Sequence, residues 1–472
     1  MSDHFVGRRH DLRRLDEHLA AVARSGRGRL LALQGRRQVG KSTLITEFLR
    51  RHPDVPSLFF TGSRQATAQD DLALFTLDAA REATLPGADA LVDVEAGTWE
   101  AALRQVAGLL PEGRPAVVVL DELPWLLEND PGLDGTLQKL WDTVFEHRPV
   151  LFVLVGSDLS MMEALVGHRR PLFGRVTSMV VRPFDPADTA AMLGGPDSAP
   201  EAFDAYMVTG GYPRLLADLS GKRLTTWLRR QFTDDTSPLL VTGERIMAGE
   251  FPDHVQARRV LEELSAGERG FAALAQAVGI RQASLNRALQ LLGDKRIVTR
   301  SQPLAPDAPD APRYQVVDHY LRFWLRFCRP GLADVSRGRG DLALDRWRDG
   351  WSAYRGRAVE MVVREALARL AADDPRLGGA GAVGGWWNRT NRPEIDLVGA
   401  DRRDRPRRVA FTGTVKWRGT VPLGDRDVAD HRAAVATVPA LAGAPVIAVA
   451  ATRVTAKQVD AAYTAADLLA AW

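Results

Sequence analysis

Gly35-Arg-Arg-Gln-Val-Gly-Lys-Ser42 has the spacing of a phosphate-binding loop: two glycines around four residues, then a lysine and a hydroxyl. Glycines let successive backbone N–H groups turn inward into a concave nest for anionic oxygens. The cradle consists of Gly35, Arg36, Arg37, Gln38, Val39, Gly40, Lys41, Ser42 and Thr43. In that chemistry Lys41 reaches the β- and γ-phosphates of a nucleotide, and the Ser42 hydroxyl ligates Mg2+. A second pair, Asp121-Glu122, ends the apolar run Ala116-Val-Val-Val-Leu120. Asp121 is suited to hold Mg2+, directly or through water, and Glu122 to orient and deprotonate an attacking water.

These groups need a scaffold that brings the loop and the acids to one edge. Leu30–Leu33 reads as a buried strand, and Leu44, Ile45, Phe48 and Leu49 have helical spacing, so a helix N-terminus adds its partial positive charge at the loop. The run before Asp121 describes a fully buried parallel strand. Ligands sit at the carboxyl ends of strands in open α/β sheets, so the two acids face the phosphates held by Lys41. Leu58–Thr61 and Val150–Val155 are two more strands, the latter leading to Gly156-Ser157. Helices are expected near Asp70–Ala83 and Trp99–Leu110, and Leu12, Leu15, Leu19 and Val22 line one side of a helix upstream of the loop. In Arg169-Arg-Pro-Leu-Phe-Gly-Arg175, Arg175 is the preferred guanidinium for a γ-phosphate, acting within its own subunit or from a neighbour's; a surface ion pair is the alternative.

A chain of 472 residues calls for two to four domains. Apolar residues at 45% and charged residues at 26% suit a globular protein, and a net charge of +3 does not by itself announce nucleic acid. A single cysteine, Cys328, leaves no disulfide framework and no thiolate zinc site. The first residues lack the apolar core of a signal peptide, and no apolar run approaches the ~20 residues that span a bilayer, so a cytoplasmic protein without membrane contact is expected.

The order of motifs carries a resemblance. Phe5-Val-Gly-Arg8, the phosphate loop, Asp121-Glu122, Gly156-Ser157, Phe173-Gly-Arg175 and Gly210-Gly-Tyr-Pro213 follow one another. That order is similar to the archaeal-type ATPase family, a STAND/AAA+ relative also found in bacteria. The resemblance implies that Phe5, Val6 and Gly7 pack on the adenine base, although an arm covering the sheet edge accounts for the same residues. It implies that Ser157 contacts the γ-phosphate or its water, whereas a serine capping the helix from Leu159 needs no chemistry. It also implies a helical lid in which Pro213 touches the base; otherwise Pro213 simply starts a helix.

Beyond Val255, Phe271–Leu292 contains a helix, a turn at Gly279 and a second amphipathic helix, followed by strands at Lys295–Arg300 and Arg313–Val317 around the proline-rich loop Gln302–Pro312. This is the pattern of a winged helix, with Arg281, Gln282, Asn286 and Arg287 as exposed candidates for DNA; service as a packing module is the equal alternative. Asp318-His-Tyr-Leu-Arg-Phe-Trp-Leu-Arg-Phe327 resembles the start of the C-terminal region accompanying this ATPase family, and Tyr320, Phe323, Trp324 and Phe327 read as a core seam. From Tyr354 a helix over Arg357–Leu370 and strands around Gly385–Asn388, Glu394–Val398 and Arg408–Trp417 precede the apolar strand Pro445–Ala450. With Glu394-Ile-Asp396 and Val415-Lys416, they resemble a PD-(D/E)xK restriction-endonuclease-like domain. The resemblance makes Asp396 the first acid, Lys416 the lysine and Glu360 the helix-borne acid. Thr414 stands where the family carries its second acid, and a neutral hydroxyl cannot help Mg2+ shed its waters, so a degenerate nuclease site is expected.

The expected architecture is an α/β P-loop NTPase core over 1–185, a helical lid over 186–250, a winged helix over 251–330, a linker over 331–350 and an α/β restriction-endonuclease-like domain over 351–472. The expected activity is ATP hydrolysis with ATP and Mg2+, driving a switch with DNA as partner and a homo-oligomer left open. An ATP-regulated nuclease effector and a non-hydrolysing ATP-bound scaffold are the rivals.

Overall fold

Apolar runs in Met1–Pro183, the first of two compact units, pair into one parallel sheet. Its strands are β1 (Arg29–Gln34), β2 (Ser57–Thr61), β3 (Ala116–Asp121), β4 (Val150–Gly156) and β5 (Val176–Val180), ordered β2-β3-β4-β1-β5. The computed structural model describes every residue except 1–4, 93, 95, 166, 169, 196–198, 252, 253 and 391. Arg169, the first residue of the Arg169–Arg175 segment, therefore lies outside the described residues. Helices α1 (Arg9–Ser25), α2 (Lys41–Arg51), α3 (Ala68–Arg81), α4 (Trp99–Leu109), α5 (Leu123–Asn129), α6 (Leu133–Thr143) and α7 (Leu159–Leu165) alternate with the strands. Strands β3 and β4 are buried along their whole length, as expected for parallel strands covered on both faces. Leu12, Leu15, Leu19 and Val22 of α1 are buried. Helix α3 opens on a reciprocal cap between Thr67 and Asp70. The registers Gln34↔Gly156, Gln34↔Val180 and Thr61↔Asp121 bring the carboxyl ends of the strands to one edge. Strand β4 lies between β1 and β3, so the loop strand and the acid strand are not neighbours.

The second unit, Phe184–Trp472, begins with α8 (Pro186–Leu193), α9 (Ala199–Thr209), α10 (Pro213–Leu219), α11 (Leu224–Thr233) and α12 (Pro238–Glu250). Next come α13 (Val255–Ser265), β6 (Arg269–Gly270), α14 (Phe271–Val278), α15 (Gln282–Asp294), β7 (Val298–Ser301) and β8 (Arg313–Val316), with an antiparallel sheet ordered β6-β8-β7. Helix α16 (His319–Phe323) runs into a π turn over Trp324–Cys328, then α17 (Leu332–Ser336) and α18 (Gly340–Leu370). Residues 331–350 are thus largely helical rather than a linker, and the helix expected from Arg357 begins at Gly340. The reason is aromatic packing: Trp347, Trp351 and Tyr354 form successive ring contacts along this helix, and Tyr354 meets Phe323 and Phe327. Tyr320, Phe323, Trp324 and Phe327 are buried core residues.

The last sheet contains β9 (Ala382–Trp387), β10 (Glu394–Ala400), β11 (Val409–Lys416), β12 (Val446–Ala450) and β13 (Ala461–Tyr463), ordered β13-β12-β11-β10-β9. Pairs β9–β10 and β10–β11 are antiparallel; β11–β12 and β12–β13 are parallel, with α19 (Asp425–Ala436) and α20 (Ala465–Leu469) beside them. Among the described residues no helix is long and apolar enough to cross a membrane.

Candidate active site

Strand β1 hands the chain to the loop through Gly35, where a Cβ would lie 2.4 Å from the Val181 carbonyl oxygen. Only glycine fits so close to the residue following β5. Gln38 (φ 66°) and Gly40 (φ 86°) are both left-handed, which turns backbone groups inward before α2 starts at Lys41. Lys41 is almost fully buried and its Nζ donates to the carbonyls of Gly35 (2.9 Å) and Arg36 (3.1 Å), across the loop's concave side. Arg37 lies 5.8 Å from the ring centroid of Trp125 on α5, linking the loop to the helix that follows the acids.

At the end of β3, Asp121 accepts a 2.6 Å hydrogen bond from Ser42 Oγ on one oxygen and a 2.8 Å bond from the Glu122 N–H on the other. Glu122 occupies left-handed backbone space (φ 52°, ψ 42°), a conformation that costs on the order of 1–3 kcal/mol for a residue with a Cβ. It aims the carboxylate back toward β4, where Glu122 Oε2 accepts a 2.7 Å hydrogen bond from Ser157 Oγ. The helix-capping alternative for Ser157 is thereby removed, because Asp158 caps α7 through the Met161 N–H at 2.9 Å. The intervening position of β4 explains the contact, since its tip stands between the phosphate loop and the acid strand.

Ser42 and Asp121 supply a hydroxyl and a carboxylate, the hard oxygen donors that Mg2+ takes alongside substrate phosphates. Among the described residues, no group of three or more His, Cys, Asp or Glu is arranged to hold a metal by itself.

Arg175 is a correction. It immediately precedes β5, and the register Leu30↔Val176 puts it at the amino end of the sheet, opposite the loop that follows Gln34. Its guanidinium makes a two-pronged ion pair with Asp142 of α6 (Nε–Oδ1 2.6 Å, Nη2–Oδ2 2.9 Å). It therefore does not reach the phosphate edge of its own chain. A residue that the sequence reading passed over stands there instead. Arg8, left-handed at φ 59° after the left-handed Gly7, donates to the Val39 carbonyl in the loop and to the Arg182 carbonyl beyond β5, and pairs with Asp11. The available signal was the arginine closing Phe5-Val-Gly-Arg8. Phe5, Val6 and Gly7 precede it and are partly buried, with the Arg51 guanidinium 6.0 Å from the Phe5 ring centroid.

Pro213 belongs to the second unit, where it starts α10 behind Tyr212. Gly210 and Gly211 are left-handed and tightly packed: a Cβ would lie 2.6 Å from the Tyr320 nitrogen and 1.9 Å from the Phe184 carbonyl oxygen, respectively. Tyr212 donates to Asp318 Oδ2 at 2.9 Å, so the Gly-Gly-Tyr-Pro element is locked onto the Asp318–Phe327 segment.

Glu360, Asp396 and Lys416 also come together. Asp396 Oδ2 accepts from Thr414 Oγ (3.0 Å) and the Val415 N–H (2.9 Å), and Lys416 Nζ stands 3.8 Å away. Arg364 bridges to Glu360 Oε2 (3.0 Å) and to the Asp396 carbonyl (3.0 Å). Burial pushes Glu360 up to about 8, with Arg364 opposing and Asp396 adding to the shift. The shift favours the protonated form of Glu360, and the chain's own donors already occupy Asp396 Oδ2.

Residues 5–219 match an ATPase domain found predominantly in Archaea, and residues 324–428 match a family of archaeal and bacterial proteins of unknown function. An uncharacterised protein of Methanocaldococcus jannaschii is 23% identical over 430 residues, spanning 90% of this chain and 89% of its own. The Walker-type ATPase of Pyrococcus abyssi superposes on 69% of this chain and 97% of its own, at 17% identity and a TM-score of 0.51. The ORC2 protein of Aeropyrum pernix, solved in ADPNP–ADP complexes, covers 73% of this chain and 96% of its own at 13% identity and a TM-score of 0.49. The first unit has the parallel α/β sheet of a P-loop ATPase. Its loop and acids lie in the segment that matches the archaeal-type ATPase domain, which supports an ATP-binding P-loop ATPase, and the segment matching proteins of unknown function follows it.

Proposed function

We propose that the chain is a Mg2+-dependent ATP hydrolase used as a switch, in which nucleotide state controls how the second unit engages DNA. The observation that carries the hydrolytic part is the continuous hydrogen-bonded chain Ser42–Asp121–Glu122–Ser157, reaching from the phosphate loop to a carboxylate held in strained backbone. Lys41 exchanges its loop carbonyls for the β- and γ-phosphates. Ser42 and Asp121 hold the metal, which neutralises charge on the phosphate oxygens when bound. Glu122 takes the proton of the attacking water, and Ser157 positions its carboxylate. Phe5, Val6 and Gly7, and separately Pro213 of the proposed helical lid, are the proposed base contacts.

The DNA part has separate support. The order α13–β6–α14–α15–β7–β8 is that of a winged helix, and Arg281, Gln282, Asn286 and Arg287 are exposed on or at the start of α15. The order of α18 and β9–β12 supports a restriction-endonuclease-like fold, while the bonds filling Asp396 favour a degenerate, non-cleaving site over a nuclease effector. The test is steady-state phosphate release with and without duplex DNA. Lys41→Ala should abolish ATP binding, and Glu122→Gln should keep binding while losing turnover. ATP binding and turnover unchanged in both variants would overturn the reading.

A further inference from the structure

Part of the connection between β7 and β8, the wing of a winged helix, is taken up by the C-terminal sheet. Leu304 and Ala305 are buried in the core of the C-terminal sheet, and the Leu304 N–H donates to the Gly385 carbonyl of β9 at 2.9 Å. Trp387 Nε1 donates to the Ala311 carbonyl at 2.7 Å. Arg313 at the start of β8 lies 4.2 Å from the centroid of the Trp387 ring and pairs with Glu268 and Glu394. A helix that reads a groove still needs a second anchor on the backbone to fix its register.

The chain offers one beside the captured wing. The β9–β10 loop starts one residue beyond Trp387 and is built around the Asn388 side chain. Its Oδ1 accepts from the Thr390 N–H (3.0 Å), Thr390 Oγ (2.8 Å) and the Arg392 N–H (3.1 Å), while Nδ2 donates to the Arg392 carbonyl (2.6 Å). Arg389 and Arg392 are exposed on this loop, and among the described residues neither is matched by a carboxylate. The adjacent acid Glu394 is engaged by Arg313. On the wing connection, Asp310 accepts from Gln302, and Asp307 is an exposed acid on the far side of the buried Leu304 and Ala305 in sequence. Arg300 on β7 adds a further exposed guanidinium on the hairpin.

We propose that this loop replaces the captured wing: Arg389 and Arg392 each hold a backbone phosphate of the double-stranded DNA that α15 engages. This rests on the DNA reading above. The test is fluorescence anisotropy of a labelled random-sequence duplex with the full chain, titrated over a range of salt concentrations. Arg389→Ala/Arg392→Ala should weaken binding roughly 10-fold at low salt and reduce the slope of log affinity against log salt by about 1.8, the share of two phosphates. Arg389→Lys/Arg392→Lys should restore most of the slope, and ATP turnover without DNA should match the parent in both. If Arg281→Ala/Arg287→Ala weakens binding but Arg389→Ala/Arg392→Ala leaves affinity and slope unchanged, the loop proposal fails and the DNA reading stands. If the parent chain binds no duplex, both fail. Preference for single-stranded nucleic acid over duplex would also overturn the loop proposal.

Discussion

Two strand-borne carboxylates, Asp121 and Asp396, stand in sites that look alike in sequence and differ in chemistry. Each is the acid of a short motif, each accepts a hydroxyl hydrogen bond, and each has a lysine near by. Around Asp121 the hydroxyl comes from Ser42, one residue beyond a lysine on a loop of inward-turned N–H groups, and the next residue is a second carboxylate held by Ser157. Around Asp396 the hydroxyl and N–H come from Thr414 and Val415 on the neighbouring strand, and the second acid is tied to Arg364. The lesson is that an acid cluster becomes a metal or proton-transfer site through what its partners can release. Ser42 can rotate from Asp121 to a ligand, whereas the Val415 N–H is fixed to its strand.

The variants that break this contrast can be ranked by expected effect. Glu122→Gln should reduce ATP turnover about 10²–10⁴-fold, the usual contribution of a positioned general base, with nucleotide binding kept. Ser157→Ala should reduce turnover roughly 10- to 100-fold, the value of a hydrogen bond to a charged group, and Ser157→Thr should recover part of it. A structural role for Ser157 alone would instead lower the unfolding midpoint and leave turnover of the folded protein intact.

Glu360 sharpens the other half. Burial pushes its pKa up to about 8, from 4.5 for an ordinary glutamate. The folded chain therefore keeps a proton that the unfolded chain has lost, and this contribution to stability falls as pH rises from about 4.5 to 8. Glu360→Gln should remove that slope and stabilise the protein above pH 8 by roughly 1–3 kcal/mol, allowing for partial solvent screening. Denaturant midpoints across pH measure it; an unchanged slope would mean that Glu360 is ionised in the fold, paired with Arg364. The smallest effect belongs to Arg175→Ala, which should cost at most about 1 kcal/mol, since its pair with Asp142 is partly exposed, and should leave turnover unchanged. A large fall in turnover at constant stability would return Arg175 to the phosphates from a neighbouring subunit.

The loop, the acid pair and the strands that bear them were legible because a parallel sheet buried on both faces writes continuous apolar runs ending in chemistry. Ser157 was legible as a position but not as a bond, because its role depends on β4 lying between β1 and β3, an order that adjacency in sequence does not reveal. Arg175 was misplaced for a related reason: the residue before a strand lies at the opposite edge from the residue after one. The long helix Gly340–Leu370 was hidden because it contacts several elements and shows no single apolar face. The burial of Leu304 was hidden by a proline-rich stretch that reads as a solvated loop.

The most direct measurement is nucleotide binding and single-turnover hydrolysis by Glu122→Gln beside the parent chain, with Mg2+ present. The account predicts equal ATP affinity and a hydrolysis rate lower by about 10²–10⁴-fold in the variant. Hydrolysis at the parent rate would contradict it.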